Sequence, residues 1–293
     1  MKMHDLAFSS RPLSTTVSEL TNSGRDIIFA PYGDFWRQLR KIAITELLSA
    51  RRVLSFRRVR EEEVAAMLRA VAAAADDVID MRERLSTVVS DVSARVLLGD
   101  RCKERDMFLR QLDVGIELAA GFNPADLWPS SWLARELTTS VRRAKRCRDA
   151  VFRMLDRIIK EHLERVESGE ADKAEDLLTV LLKIQRDGEL DMDVVKSMIF
   201  DLLSGGSETS ATSLEWCMAE LIQKPRVMKR VTDEVRRTFA QHGTVPEQDL
   251  SELRYLHLVI RETLRLHPPL PLLLPRECQE PRRVLGPRVS RCS

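Results

Sequence analysis

A long apolar repeat between Asp191 and Pro225 constrains this fold more than any other part of the sequence. Val194, Met198 and Leu202 recur at every fourth position, and apolar residues continue at helical spacing until the proline ends the helix. Roughly 30 residues at 1.5 Å each give a helix about 45 Å long, enough to cross a domain. The rest of the sequence indicates helices joined by turns, without strand pairs of any weight. Predicted among them are a helix over Pro31–Ser49, a helix closed by Gly99 and a helix that ends at the Asp187–Gly188 turn. We therefore predict a mainly α fold with a long central helix and little sheet.

Composition narrows the class of protein. The 293 residues are 44% hydrophobic and 31% charged, which is typical of a globular chain with one large core or two modest ones. The 47 basic and 45 acidic residues nearly balance, which argues against nucleic-acid binding. The five cysteines lack the spacing of a zinc site or a disulfide framework, so reduced thiols are expected. No run of about 18 apolar residues is present to span a bilayer, and the first residues do not form a signal peptide.

Two adjacent glycines, Gly205 and Gly206, lie inside this helical repeat, where each costs about 1 kcal/mol relative to alanine. Gly205 and Thr209 share one helix face, so a hollow is expected beside the threonine hydroxyl. Gly206 would allow a local widening that frees a carbonyl oxygen, and Glu208 adds an exchangeable proton. This interpretation gives a site for a small, oxygen-rich ligand. The alternative is a glycine-rich break between two helices, which the local residues alone favour. The Gly-Lys-Ser/Thr ending of a phosphate-binding loop is absent.

Two further motifs place paired side chains on one helix face. Glu262 and Arg265 are three residues apart in ETLR, which is ordinarily a surface ion pair. Trp36 and Arg40 are four apart in WRQLR, which is ordinarily an indole packed against a guanidinium. The order of the motifs is more informative than any one of them, because WRQLR precedes GGSETS, which precedes ETLR and then HPPLPLLLPRE.

This order resembles the cytochrome P450 family of haem-thiolate monooxygenases, and most closely its large plant group. The resemblance is carried by FAPYGDFWRQLRKIAITELLSARRV, GGSETSATSLEW and YLHLVIRETLRLHPPLPLLLPRE. It is collinear from about Met3 to Glu280. It implies a partial cytochrome P450 domain over residues 1–280, followed by a divergent tail over residues 281–293.

The resemblance implies haem b as the cofactor and gives roles to particular residues. Trp36, Arg40 and Arg276 match the groups that hold the haem propionates, and a guanidinium fork suits a carboxylate. Glu262 and Arg265 match a structural charge pair that is buried in the complete family member, where it braces the haem-binding core.

The glycine motif also acquires a role from the resemblance. Gly205, Gly206, Glu208 and Thr209 match the groove in which the family's threonine and acid supply protons while the O–O bond of dioxygen is cleaved. The helix would then give up local stability to make room for dioxygen and water.

The resemblance further implies a lipophilic small-molecule substrate and electrons from NADPH through a cytochrome reductase. It implies the cytosolic face of the endoplasmic-reticulum membrane as the location of the complete family member. Trp128 and Trp132 match a loop near that membrane, although core packing is an equally good interpretation. The segments that match substrate-recognition regions are Arg11–Ser23, Gly115–Trp132, Ile199–Gly205 and Leu270–Leu274.

Several family features are missing from the sequence. The iron-ligand loop, Phe-x-x-Gly-x-Arg-x-Cys-x-Gly, is absent, and Cys292 in the final PRRVLGPRVSRCS does not have its spacing, so we assign no metal ligand. The third member of the charge pair and the N-terminal anchor are also absent. We therefore expect a monooxygenase truncated at both ends, incompetent alone and, without its anchor, cytosolic. The alternative is a non-catalytic helical fragment or interaction protein without haem activity.

Overall fold

The computed structural model describes residues 5–74, 77–99, 105–121, 124–128, 131–133, 139–168, 175–240, 246–283 and 288–289. Within them the fold is mainly α, as predicted. The helices are α1 (Thr15–Leu20), α2 (Asp34–Ile42), α3 (Ala50–Ser55), α4 (Arg57–Ala73), α5 (Met81–Leu98), α6 (Arg105–Ala120), α7 (Pro124–Leu127), α8 (Thr139–Glu167), α9 (Leu177–Arg186), α10 (Met192–Gln223), α11 (Pro225–Thr238) and α12 (Arg254–Leu266). Two-residue strands β1 (Arg282–Arg283) and β2 (Arg288–Val289) pair antiparallel.

The helix ends follow the turn signals in the sequence. Gly99 and Gly188, each with a φ of +81°, follow α5 and α9 in the left-handed conformation that glycine adopts without strain. At the start of α9, the Asp176 carboxylate accepts a hydrogen bond from the backbone N–H of Thr179 at 2.7 Å. The helix ends predicted at Gly99 and at the turn containing Gly188 are therefore confirmed.

The helix predicted over Pro31–Ser49 is shorter and less regular than expected. It begins at Asp34, where an acidic side chain suits the first turn, and it changes to π-helical geometry over Ala43–Leu47. In this wider turn the backbone N–H of Leu48 donates to the carbonyl of Ala43 at 2.8 Å.

The chain divides into two compact units. Unit 1 comprises Met1–Ser49, Leu97–Ser204 and Leu272–Ser293, and unit 2 comprises Ala50–Val96 and Gly205–Pro271. The domain limit expected after residue 280 stays a prediction.

Unit 1 contains a dense apolar core. Helix α8 packs against α1 and α6, which also contact each other. Phe108 of α6, Leu155 of α8 and Leu178 of α9 are at most 1% exposed. Met198 and Ile199, on the first half of α10, are fully buried. On the first half of α10, the periodic apolar residues that predicted the long helix therefore lie on the side that faces this core.

Unit 2 buries less apolar surface. Helices α11 and α12 contact each other, and Val231 of α11 is 7% exposed. In contrast, Ile222 of α10 is 65% exposed, and Leu258 and Leu264 of α12 are 59% and 43% exposed. Charged contacts supplement this core, since Arg60 donates two hydrogen bonds of 2.7 Å to a single carboxylate on the segment after α11. Among the described residues, no helix combines the length and apolar character needed to cross a membrane.

Candidate functional site

Helix α10 is continuous through both glycines. It runs for 32 residues, from Met192 to Gln223, and Asp191 caps it by accepting the backbone N–H of Val194 at 2.9 Å. The interpretation of the glycines as a break between two helices is therefore wrong. The apolar contacts of the first half of α10 stabilise the helix enough to offset the low helix propensity of two glycines.

The space beside Gly205 is open. No neighbouring heavy atom of the described structure lies within 4 Å of the position that a Cβ atom would take at Gly205, and at Gly206 that atom would meet only the Ser93 hydroxyl, at 3.8 Å. The Thr209 hydroxyl donates a 2.7 Å hydrogen bond to the Gly205 carbonyl, one turn away. The structure thus brings Gly205 and Thr209 together as predicted from their spacing.

One detail of that prediction is wrong. The helix keeps α geometry at Gly206, so no local widening frees a carbonyl oxygen there. The Gly205 carbonyl is not free either, because it accepts the Thr209 hydroxyl within an α-helical turn. The π-helical turn of the described chain lies instead at Ala43–Leu47.

Two polar side chains follow the glycines on α10. Glu208 is exposed, so it can exchange protons with solvent. Ser207 is only 6% exposed, and its hydroxyl oxygen has no hydrogen-bond partner among the described residues. The sequence analysis did not identify this serine. A buried hydroxyl without a partner is a place where a water molecule or a polar ligand atom is stabilising.

The aromatic and basic pair on α2 forms as expected. The Arg40 guanidinium carbon lies 5.4 Å from the centre of the Trp36 ring. The Trp36 indole N–H donates to the carbonyl of Ile27 at 3.2 Å. Arg40 is exposed, and no described carboxylate forms an ion pair with it. Arg40 can therefore bind a carboxylate without breaking an ion pair. The Trp36 indole could do so only by giving up its hydrogen bond to the carbonyl of Ile27.

Arg276 has protein partners of its own. Its guanidinium donates to the carboxylate of Asp5 at 2.8 Å and to the carbonyl of Phe8 at 3.4 Å. An adjacent backbone bond from Glu277 to Ser10, of 2.9 Å, fixes this segment. The predicted role of Arg276 in propionate binding would require it to leave the Asp5 carboxylate.

The residues fit only part of a haem site. Arg40 suits a carboxylate, and the space at Gly205 suits a small ligand. Two of the three described cysteines do not suit an iron ligand, because Cys147 and Cys278 are buried and both thiols donate to backbone carbonyls. Burial raises the pKa of the Cys147 thiol, which is the opposite of what a thiolate ligand needs.

No other metal ligand set replaces them. Among the described residues, no group of three or more His, Cys, Asp or Glu side chains could hold a metal ion. Cys102 and Cys292 lie outside the described residues.

The structure forms the predicted charge pair at the surface. Arg265 donates two hydrogen bonds, of 2.8 and 2.7 Å, to the Glu262 carboxylate. The side chains are 66% and 56% exposed, respectively, so the pair is hydrated in this chain. The hydrogen bond from Arg265 lowers the pKa of the Glu262 carboxyl. The structural role expected of the pair in a complete family member stays a prediction.

We expect Glu262→Gln to leave the thermal midpoint of this chain unchanged within error, because water solvates both partners after the change. Circular dichroism at low and at high salt would measure this. A clear drop in midpoint that is absent in the exposed control Glu252→Gln would show that the pair stabilises unit 2.

The sequence analysis did not identify a cluster of aromatic and charged side chains in unit 2. The Trp216 ring stacks on the His267 imidazole, with centres 3.9 Å apart and planes 2° apart, and His267 Nε2 lies 2.8 Å from a Glu220 carboxylate oxygen. Lys224 forms an ion pair with the same carboxylate. The available signal was the spacing of four between positions 216, 220 and 224, which places Trp216 and Glu220 on one face of α10 and Lys224 directly after its end.

Comparison with known proteins identifies the family. A family model described as Cytochrome P450 matches residues 1–289. The chain belongs to the cytochrome P450 family. It is 44% identical to zealexin A1 synthase and 43% identical to dolabradiene monooxygenase, both from Zea mays. Each alignment covers 97% of this chain and 58% of the relative, so the chain spans little more than half the length of these relatives.

Solved structures agree on the P450 fold. A zebrafish cytochrome P450 determined with abiraterone has a TM-score of 0.78 at 23% identity, covering 97% of this chain and 65% of that one. A zebrafish cytochrome P450 determined with progesterone also has a TM-score of 0.78, at 21% identity. At these identities the likeness supports the fold alone.

The segments that resemble P450 substrate-recognition regions differ in exposure. Trp128 and Trp132 are 59% and 72% exposed, so these two rings do not belong to the described core. Leu272 and Leu273 are also exposed, at 94% and 71%. By contrast, Ile199, at the start of another such segment, is fully buried in unit 1.

Proposed function

We propose that the protein represented by this chain is a P450 monooxygenase that inserts one atom of dioxygen into a lipophilic small molecule. The observation that carries the proposal is the unbroken helix α10, with open space at Gly205 and the Thr209 hydroxyl one turn away. We further propose that electrons come from NADPH through a cytochrome reductase. The proposed location is the cytosolic face of the endoplasmic-reticulum membrane.

Haem b, when bound, would supply the one-electron and dioxygen chemistry of the reaction. Arg40 would hold one of its carboxylates as a charge-assisted hydrogen-bond donor. Trp36 and Arg276 would contribute after exchanging their present acceptors, the carbonyl of Ile27 and the carboxylate of Asp5. The iron ligand is not assigned to any described residue.

The threonine and the acid would handle protons. A hydroxyl has one donor and two acceptor positions, so Thr209 can accept a hydrogen bond from a water molecule while it donates to Gly205. Glu208 is exposed and can take protons from solvent. Together they would pass a proton from bulk water to a small ligand held beside Gly205.

Two kinds of observation support a lipophilic substrate. The expected recognition segment Leu270–Leu274 is rich in leucine. The names of the maize relatives describe a dolabradiene monooxygenase and a zealexin synthase.

The test uses a fusion of this chain with the part of zealexin A1 synthase that it does not cover, expressed with a plant reductase. We expect a haem-thiolate spectrum with carbon monoxide and NADPH-dependent oxidation of a lipophilic substrate from a panel that includes those of the two maize relatives. A correctly folded fusion that binds haem but oxidises none of the panel would contradict the proposal.

In the same fusion, Thr209→Ala is expected to leave substrate binding nearly unchanged and to lower product formed per NADPH about 10- to 100-fold. Hydrogen peroxide should rise in proportion, because the hydroxyl that orders the proton-donating water is lost. Thr209→Ser retains a hydroxyl and should recover most of the coupling. Equal coupling in the wild type and in Thr209→Ala would assign this threonine only to the stability of α10.

A further inference from the structure

Two carboxyl groups are buried in unit 1 outside the motifs discussed so far. Asp26, in the segment before α2, is 1% exposed, and Asp201, four residues before Gly205 on α10, is 6% exposed. Burial raises the pKa of Asp26 to about 6, although hydrogen bonds from backbone amides oppose the shift. Burial also raises the pKa of Asp201 well above its usual value, and the nearby charge of Asp26 adds to the shift.

The two carboxyl groups hold the same stretch of backbone. The Asp26 carboxylate accepts the backbone N–H of Phe29 and interacts with those of Ile28 and Ala30. Asp201 Oδ2 accepts the backbone N–H of Ile27 at 3.0 Å. Hydrogen bonds therefore hold the segment from residue 26 to residue 30 both internally and against α10.

The same stretch of backbone binds the Trp36 indole. The carbonyl of Ile27 accepts the indole N–H at 3.2 Å, while the amide of Ile27 donates to Asp201. A continuous hydrogen-bonded path thus runs from a buried carboxyl, through one peptide residue, to the indole beside Arg40.

One oxygen of the pair lacks a donor. Asp26 Oδ2 is buried and has no hydrogen-bond partner among the described residues. Two ionised carboxylates buried near each other repel, and the cost of leaving water is not recovered without a donor. A single proton on the pair removes the repulsion and leaves one negative charge.

The charged groups around the pair do not replace that proton. Arg11 interacts electrostatically with Asp26 and is also close to Arg276. Arg25, the neighbour of Asp26 in sequence, forms a surface ion pair with Asp191. The Thr21 hydroxyl, which opposes the rise in the pKa of Asp26, donates its hydrogen to the carbonyl of Val17 at 2.8 Å. Among the described residues, no guanidinium donates a hydrogen bond to either buried carboxyl, whose observed donors are backbone amides.

We propose that Asp26 and Asp201 share one proton and that this acid pair fixes the position of the Trp36 indole through the backbone of Ile27. The pair is a positioning device and does not touch a substrate. Its existence is independent of the monooxygenase reaction, whereas its importance for haem rests on the function proposed for Trp36.

The pair makes stability depend on pH in a defined direction. A carboxyl whose pKa is raised in the folded state binds its proton more tightly there than in the unfolded chain. Its contribution is complete below the unfolded value of 3.8 and is lost as the pH rises through about 6. This difference in pKa corresponds to about a hundredfold change in the unfolding equilibrium constant. Above pH 6 the segment that holds the indole should therefore loosen.

The experiment uses the 293-residue chain without haem. Its tryptophans are replaced by 5-fluorotryptophan, and the Trp36 fluorine resonance is assigned with Trp36→Phe. Resonance position and urea unfolding are then followed from pH 4.5 to pH 8 in the wild type and in Asp26→Asn. The matched control is Asp193→Asn, which changes an exposed aspartate on the same helix as Asp201.

We expect the Trp36 resonance of the wild type to titrate with a midpoint near 6, and the titration to disappear in Asp26→Asn but persist in Asp193→Asn. The asparagine imitates the protonated acid and does not titrate. Between pH 4.5 and pH 8 the unfolding equilibrium constant of the wild type should therefore rise by about tenfold or more relative to that of Asp26→Asn.

A Trp36 resonance that does not titrate, or that titrates equally in Asp26→Asn, would overturn the proposal. If Asp26→Asn does not fold, the wild-type titration and Asp201→Asn decide the matter by the same criterion. Because no measurement involves haem, a fusion that fails to oxidise any substrate would count against the proposed function and leave this result intact.

Discussion

Gly205→Leu is expected to stabilise this chain slightly and to reduce product formation by the P450 fusion to background. Leucine is favoured over glycine in a helix by about 0.7 kcal/mol, and the added side chain enters open space, since no neighbouring atom lies within 4 Å of the Cβ position. The same side chain would occupy the room beside Thr209 that dioxygen needs in the proposed reaction. If stability rises while activity falls, Gly205 keeps a space open for the reaction and is not required for the stability of the helix.

Thermal midpoint and product per minute, measured on the same preparations, test this prediction. Ser210→Leu is the size-matched control, because that residue is exposed and its side chain points about 100° away from Thr209 around the helix. If Gly205→Leu and the control retained equal activity, the space at Gly205 would have no part in the reaction.

Leu155→Ala is expected to lower the free energy of unfolding of unit 1 by about 3 kcal/mol. Leu155 is fully buried on α8, a helix that packs against α1 and α6, and its truncation removes apolar contacts and leaves a cavity. Leu258→Ala on α12 is the matched control, because a leucine that is 59% exposed should change stability by less than about 0.5 kcal/mol. Urea unfolding monitored by circular dichroism would measure both changes. Equal losses would show that the burial difference between these leucines is not present in solution.

Local patterns predicted the elements of this fold well. The period of the apolar residues predicted α10. Gly99 and Gly188 predicted helix ends, because a single glycine adopts the left-handed conformation that ends a helix without strain. The local residues around Gly205 favoured a break, so they did not predict that α10 is continuous there. Burial of Met198 and Ile199 in unit 1 outweighs the propensity of the glycines, and burial is a tertiary property.

The candidate site was predicted where its residues are close in sequence and missed where they are distant. Thr209 contacts Gly205 one turn away, so the spacing was sufficient. Ile27 and Asp201 are separated by 174 positions, and no periodicity relates them. Trp216 and His267 stack across separate helical segments for the same reason. The exposure of the ion pair between Glu262 and Arg265 depends on the surfaces that surround it. A motif of four residues carries no information about those surfaces.

The apolar side chains that unit 2 leaves in water bear on the fate of the polypeptide in a cell. Ile222, Leu258 and Leu264 present the kind of surface that molecular chaperones and detergents bind. Synthesis of this chain without a cover for that surface should lead to prolonged chaperone association and rapid turnover. Its cellular abundance would then be governed by quality control, and a chaperone-trapping experiment would be informative before any assay of chemistry.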